Sequence, residues 1–102
     1  MNVLKVNKSK VEIYKSNGSY VRTIAVGRGN IVFADFNLDQ SLVLITYDTG
    51  KVEIFKENGS YVRAVGKSDA TMARWNGKEI MIQRKNGRAE LYKENGSYIR
   101  SI

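Results

Sequence analysis

Lys10-Val11-Glu12-Ile13-Tyr14-Lys15-Ser16-Asn17-Gly18-Ser19-Tyr20-Val21-Arg22 recurs, without a gap, as Lys51 to Arg63 and as Arg88 to Arg100. Each version reads as a hairpin. Valine, isoleucine and aromatic side chains suit a pleated, half-buried surface, and Asn-Gly supplies the positive φ of a tight turn. A three-residue loop such as Ser16-Asn17-Gly18 sets Tyr14 opposite Tyr20 and Glu12 opposite Arg22. The same register pairs Phe55 with Tyr61 and Glu53 with Arg63, then Tyr92 with Tyr98 and Glu90 with Arg100. Cross-strand aromatic and opposite-charge pairs contribute about 0.2–1 kcal/mol each. The recurring Glu, Arg and Tyr are therefore expected to pin the register.

Working outward, Asn30–Asn37 and Ser41–Tyr47 form two more strands, matched later by Ala70–Asn76 and Glu79–Gln83. The unbroken apolar run Leu42 to Ile45 implies a strand covered on both faces. Glu12 to Glu53 is 41 residues and Glu53 to Glu90 is 37, a period that signals a repeat architecture. With strands named a to d, the first copy begins at strand b, Asn2–Val6 being aligned with Val43–Tyr47. The expectation is one all-β domain of eleven strands, or about 2.75 four-stranded antiparallel blades. Its repeats span 1–26 (lacking its first strand), 27–66 and 67–102.

Residues Asn30 to Val65 resemble one blade of a WD40-like or related β-propeller: a strand ending in Asn37-Leu38-Asp39-Gln40, then Leu42 to Ile45, then Asp48-Thr49-Gly50-Lys51-Val52-Glu53-Ile54-Phe55, a polar turn and Tyr61-Val62-Arg63-Ala64-Val65. The family's Gly-His and Trp-Asp dipeptides are missing, with Phe55-Lys56 and Tyr92-Lys93 where Trp-Asp would stand. The resemblance implies four-stranded blades around a channel, strand a innermost. The alternative is the β-prism of bulb-type lectins, although the segment from Gln83 to Tyr92 lacks the acidic residue of that family's sugar motif.

Composition removes whole classes of chemistry. With no Cys and no His, thiolate catalysis and the commonest general base are both excluded. Glu12, Glu53 and Glu90 each have an arginine as expected partner, so they read as structural. No enzyme, cofactor or metal is expected. The N-terminus, with Lys5 and Lys8, lacks the apolar run of a signal peptide, and no segment is long enough to span a membrane. A cytoplasmic location is the default that follows. Propellers close with four to eight blades, and three open ones leave strand edges and an apolar face. A homo-oligomer, with a dimer favoured, is the expected remedy.

The net charge of +7 is expected to be lopsided. Loops d–a and b–c share one end, which carries Lys8, Lys10, Arg28, Lys51, Lys67, Arg84, Lys85 and Arg88 against Asp48 and Asp69. The other end sets Lys15, Lys56, Lys78 and Lys93 against Asp39, Glu57, Glu79 and Glu94. A basic rim attracts polyanions, whether nucleic acid or a sulfated or phosphorylated polymer. The first reading is thus a non-enzymatic binding or scaffold protein, an oligomeric ring with a basic end contacting a polyanion. A carbohydrate-binding lectin, with Trp75 beside Arg74 as stacking candidate, is one alternative. A purely structural assembly protein is the other.

Overall fold

Gly18, Gly59 and Gly96 hold φ of 94°, 97° and 93°, the left-handed values that glycine adopts without penalty. Each amide donates to the carbonyl of the lysine three residues earlier, at 2.8–2.9 Å. The preceding asparagine adds a side-chain bond: Asn17, Asn58 and Asn95 accept from the amides of Ser19, Ser60 and Ser97 at 2.9–3.0 Å. The expected turns are thus the turns that form, and they close three hairpins.

The computed structural model describes residues 1–102 as eleven strands: β1 (Asn2–Asn7), β2 (Lys10–Lys15), β3 (Tyr20–Ile24), β4 (Ile31–Phe36), β5 (Leu42–Tyr47), β6 (Val52–Lys56), β7 (Tyr61–Ala64), β8 (Ala70–Asn76), β9 (Glu79–Arg84), β10 (Ala89–Lys93) and β11 (Tyr98–Ser101). They form three separate antiparallel sheets, of β1–β3, β4–β7 and β8–β11, each in chain order. These are propeller-type blades of three, four and four strands, and the array does not close on itself. No helix is long and apolar enough to cross a membrane.

The aromatic pins stand as expected, with Tyr14–Tyr20, Phe55–Tyr61 and Tyr92–Tyr98 packed edge to face at 5.6–5.7 Å between centroids. The charged pins do not. A bulge follows each aromatic pair, so Ile13 faces Arg22 and Glu12 faces Thr23. Likewise Ile54 faces Arg63, and Leu91 faces Arg100. One extra residue per outer strand (Val21, Val62 or Ile99) turns the arginine to the opposite face of its sheet. A second correction concerns the first blade. Val3 pairs with Tyr14 as Val43 pairs with Phe55, so Asn2–Val6 matches Leu42–Thr46, one residue earlier than expected. The tighter Lys8-Ser9 turn, with Lys8 at φ 56°, accounts for the shift.

Two apolar layers weld the blades. In the first seam Val11, Ile13 and Ile24 pack against Val43, Ile45, Tyr47 and Phe55. In the second, Leu44, Ile54 and Val65 pack against Ala73, Ile80, Ile82 and Tyr92. Strand β5 feeds both layers from its alternate faces, which is why its apolar run is continuous.

Polar bonds fix how the blades sit. The re-aimed Arg22 donates to the carbonyl of Glu57 at 3.3 Å, and Arg63 to that of Glu94 at 2.8 Å, each reaching the hairpin turn of the next blade. Asn2 and Gln40 exchange two bonds of 3.0 and 2.9 Å across the first seam. The amide of Ala73 donates to the buried hydroxyl of Thr46 at 3.0 Å across the second.

Candidate anion-binding cleft

Backbone bonds gather the d–a and b–c loops at one end. Gly27 and Ile31 donate to Ser9 and Lys8, Ala70 to Gly50, and Lys85 to Asp69. All eight cations expected at the basic end lie on these loops or on the strand residues beside them. The structure then divides them by what each one touches.

Three are engaged by carboxylates. Arg28 Nε and Nη2 donate to the two oxygens of Glu53 at 2.9 Å each, with the guanidinium over the rings of Phe55 and Tyr61 at 5.4 and 5.0 Å. Arg84 lies 2.7 Å from Asp69 and 3.3 Å from Glu90, while Lys10 stands 4.0 Å from Glu12. Lys8, Lys51, Lys67, Lys85 and Arg88 form no ion pair, and Asp48 is the one carboxylate of this end outside any pair.

The two complete blades hold their buried glutamate in the same way from exchanged positions. In the second blade the Tyr47 hydroxyl, at the end of strand b, donates to Glu53 at 2.8 Å, and the cation comes from the loop as Arg28. In the third, strand b ends in the cation, Arg84, and the hydroxyl comes from strand c, where Tyr92 donates to Glu90 at 2.9 Å. Phe55, lacking a hydroxyl, stands in the second blade where Tyr92 stands in the third. Burial costs a carboxylate heavily unless charge-assisted bonds replace its water. The Arg28 bonds hold Glu53 below the usual carboxylate range despite that burial, and Arg84 does the same for Asp69. Burial, followed by the Glu90 contact, pushes the Tyr92 phenol up to about 12. Burial, followed by the Glu53 bond, pushes Tyr47 far up.

Because the third blade takes its cation from strand b, the matching loop residue, Lys67, is left unpaired. It lines a cleft of about 510 Å³ with Arg84, Arg88, Glu90, Tyr92, Tyr98 and Ser101. The Tyr98 and Ser101 hydroxyls lie 2.8 Å apart there. Lys51 and Lys67 also line a smaller neighbouring cleft of about 270 Å³. Lys8 and Lys10, on the first blade, and Lys85 line neither. Sequence reasoning missed Tyr98 and Ser101, and it could not tell free Lys67 from engaged Arg28. The one legible signal is the covariation between repeats, Tyr47 with Phe55 against Arg84 with Tyr92.

The sugar-stacking candidates separate. Trp75 is held by two bonds to Asp35, 2.9 Å from its amide and 3.2 Å from its indole nitrogen. It borders a cleft of about 530 Å³ at the opposite end, with Asn37, Asp39, Lys78, Lys93 and Glu94. Arg74 is exposed and lines no cleft with it.

No family model matches the chain, and no curated protein matches it. Solved structures do. Hydrazine synthase of Kuenenia stuttgartiensis matches with a TM-score of 0.81 at 11% identity, covering 98% of this chain and 32% of that one. A chain of a mitotic checkpoint complex matches with a TM-score of 0.81 at 16% identity, covering 99% of this chain and 33% of that one. The chain spans about a third of the length of each. At such identities the likeness concerns fold alone, and the fold it shows is that of propeller-type blades.

Proposed function

We propose that this chain is a non-enzymatic binding or scaffold protein that works as an oligomeric ring and contacts a polyanion through its basic end. One observation carries the reading. After structural ion pairs are taken out, Lys8, Lys51, Lys67, Lys85 and Arg88 remain at that end against Asp48 alone. Lys67 and Arg88 share one cleft. Unpaired cations on one face attract phosphate or sulfate by steering and by releasing condensed counterions. The cleft has no row of open aromatic platforms for unstacked bases, so binding to a charged backbone is favoured over base recognition. The test is duplex DNA and heparin binding across a salt series. K67A/R88A is expected to reduce the salt slope for DNA by about 2, one for each phosphate no longer neutralised. K56A/K93A, at the other end, is expected to leave it unchanged. Absence of binding at low salt would end the reading.

A second reading is carbohydrate binding at the Trp75 cleft, supported by an aromatic edge among amide and carboxylate groups. The chain has one tryptophan, so its fluorescence reports on that cleft alone. A glycan panel that leaves the emission unchanged would remove this reading.

A further inference from the structure

Each internal seam sets one face of a blade against the opposite face of the next, and at the ends of the array one face of each kind has no neighbouring blade. On the third blade, Met81 stands in the place of Leu44, Leu91 in that of Ile54 and Ile102 in that of Val65. Val65, inside the second seam, is 3% exposed, whereas Ile102 is 69% exposed. On the first blade Val3 stands in the place of Val43, at 49% against 0%. The chain therefore carries both halves of one further seam, at its opposite ends.

The arginine relay is open in the same way. Arg22 and Arg63 reach the carbonyls of Glu57 and Glu94, the first residues of the next hairpin turn. Arg100 follows in the series, and its guanidinium makes no hydrogen bond or ion pair within the chain. Ser16 holds the corresponding turn position on the first blade, and its carbonyl accepts no hydrogen bond. The open faces also differ from the internal ones in charge. Lys5, paired across the strands with Glu12, replaces the Ile45 type on the first blade, and Glu79, paired with Lys93, replaces the Leu42 type on the third. A second copy of this chain offers a matching blade face and a free turn carbonyl at once. Propellers close with four to eight blades. One copy supplies three, two copies supply six, and three copies would exceed the range.

We propose that two copies close head to tail through two identical seams, the open face of β8–β11 in each against the open face of β1–β3 in the other, with Arg100 donating to the Ser16 carbonyl across each seam. The inference rests on the reading of the chain as a ring-former and is independent of what the basic end binds.

Sedimentation of the full chain at micromolar concentration tests it. The native chain is expected at twice its monomer mass. V3D and I102D are each expected at monomer mass with native circular dichroism, since both side chains are exposed in the single copy. R100A is expected to raise the dissociation constant by at least about tenfold, as loss of a charged hydrogen bond does. The chain has no cysteine, so S16C and R100C chains can also be mixed and treated with a short thiol cross-linker. A covalent pair is expected in the mixture and not with R100C alone. A monomeric native chain, a dimer that survives both V3D and I102D, or polymers that lengthen with concentration would each overturn the proposal. Heparin binding is followed on the same samples. A dimer lost in both variants, with no heparin bound by any sample, upholds the seam and removes only the polyanion reading.

Discussion

Arg28 grips Glu53 with two hydrogen bonds of 2.9 Å, although the arginine lies in the loop between blades and the glutamate on strand β6 of the blade that follows. The arginine side chain is 42% exposed and the glutamate 10%, so solvent screens the cation while the carboxylate depends on it. R28M is expected to lower the unfolding free energy by about 1–2 kcal/mol, below the cost of breaking a fully buried pair. Urea unfolding of R28M, E53Q and the double variant measures the coupling. Strictly additive single effects would show that the pair contributes nothing.

Thr46 works across a seam rather than within its own sheet. Its hydroxyl accepts the amide of Ala73 at 3.0 Å, and both residues are fully buried. T46V keeps the shape and orphans that amide, at an expected cost of about 1–3 kcal/mol. T46S keeps the acceptor and removes only a methyl group, so it is expected to cost less. Chemical denaturation of the two variants, with T46S the less stable, would contradict this account.

Gly50 and Gly77 have similar turn roles and different surroundings. A Cβ on Gly50, at φ 92°, would lie 2.5 Å from the Ser68 carbonyl oxygen, whereas one on Gly77, at φ 62°, would meet nothing within 4 Å. G77A is expected to cost about 1 kcal/mol, the left-handed backbone penalty alone. G50A adds a clash with backbone and is expected to cost on the order of 3 kcal/mol or more. Equal melting temperatures for the two would refute the distinction.

Acid is expected to unfold the protein through its paired carboxylates. Glu53 and Asp69 are held below their ordinary values of 4.5 and 3.8, chiefly by Arg28 and Arg84. In that range the unfolded chain binds more protons than the folded one, so stability rises with pH. The contribution is complete above about pH 5 and drains away as pH falls through the depressed folded values. Calorimetry is expected to show a flat melting temperature from neutrality to that point and a decline below it. E53Q, less stable throughout, is expected to have the shallower acid limb.

The three hairpins were legible residue by residue because their determinants are local. Asn17-Gly18 chooses its turn from its own backbone preferences, and Tyr14 finds Tyr20 six residues away because that turn leaves no other register. The count of eleven strands and the double burial of Leu42 to Ile45 follow from periodicity alone. The bulges at Val21, Val62 and Ile99 were not legible, since they pair no residues within the hairpin that a sequence could advertise. They serve contacts to the next blade, and a one-residue slip changes which face carries each arginine. For the same reason the sequence could count eight cations at one end without knowing their fates. Burial decides that Glu53 and Glu90 must be satisfied, and proximity decides that Arg28 and Arg84 do it. Lys67 and Arg88 are left unpaired as a consequence. Local chain chemistry determined the repeat; packing between repeats decided which of its charges remain available to a partner.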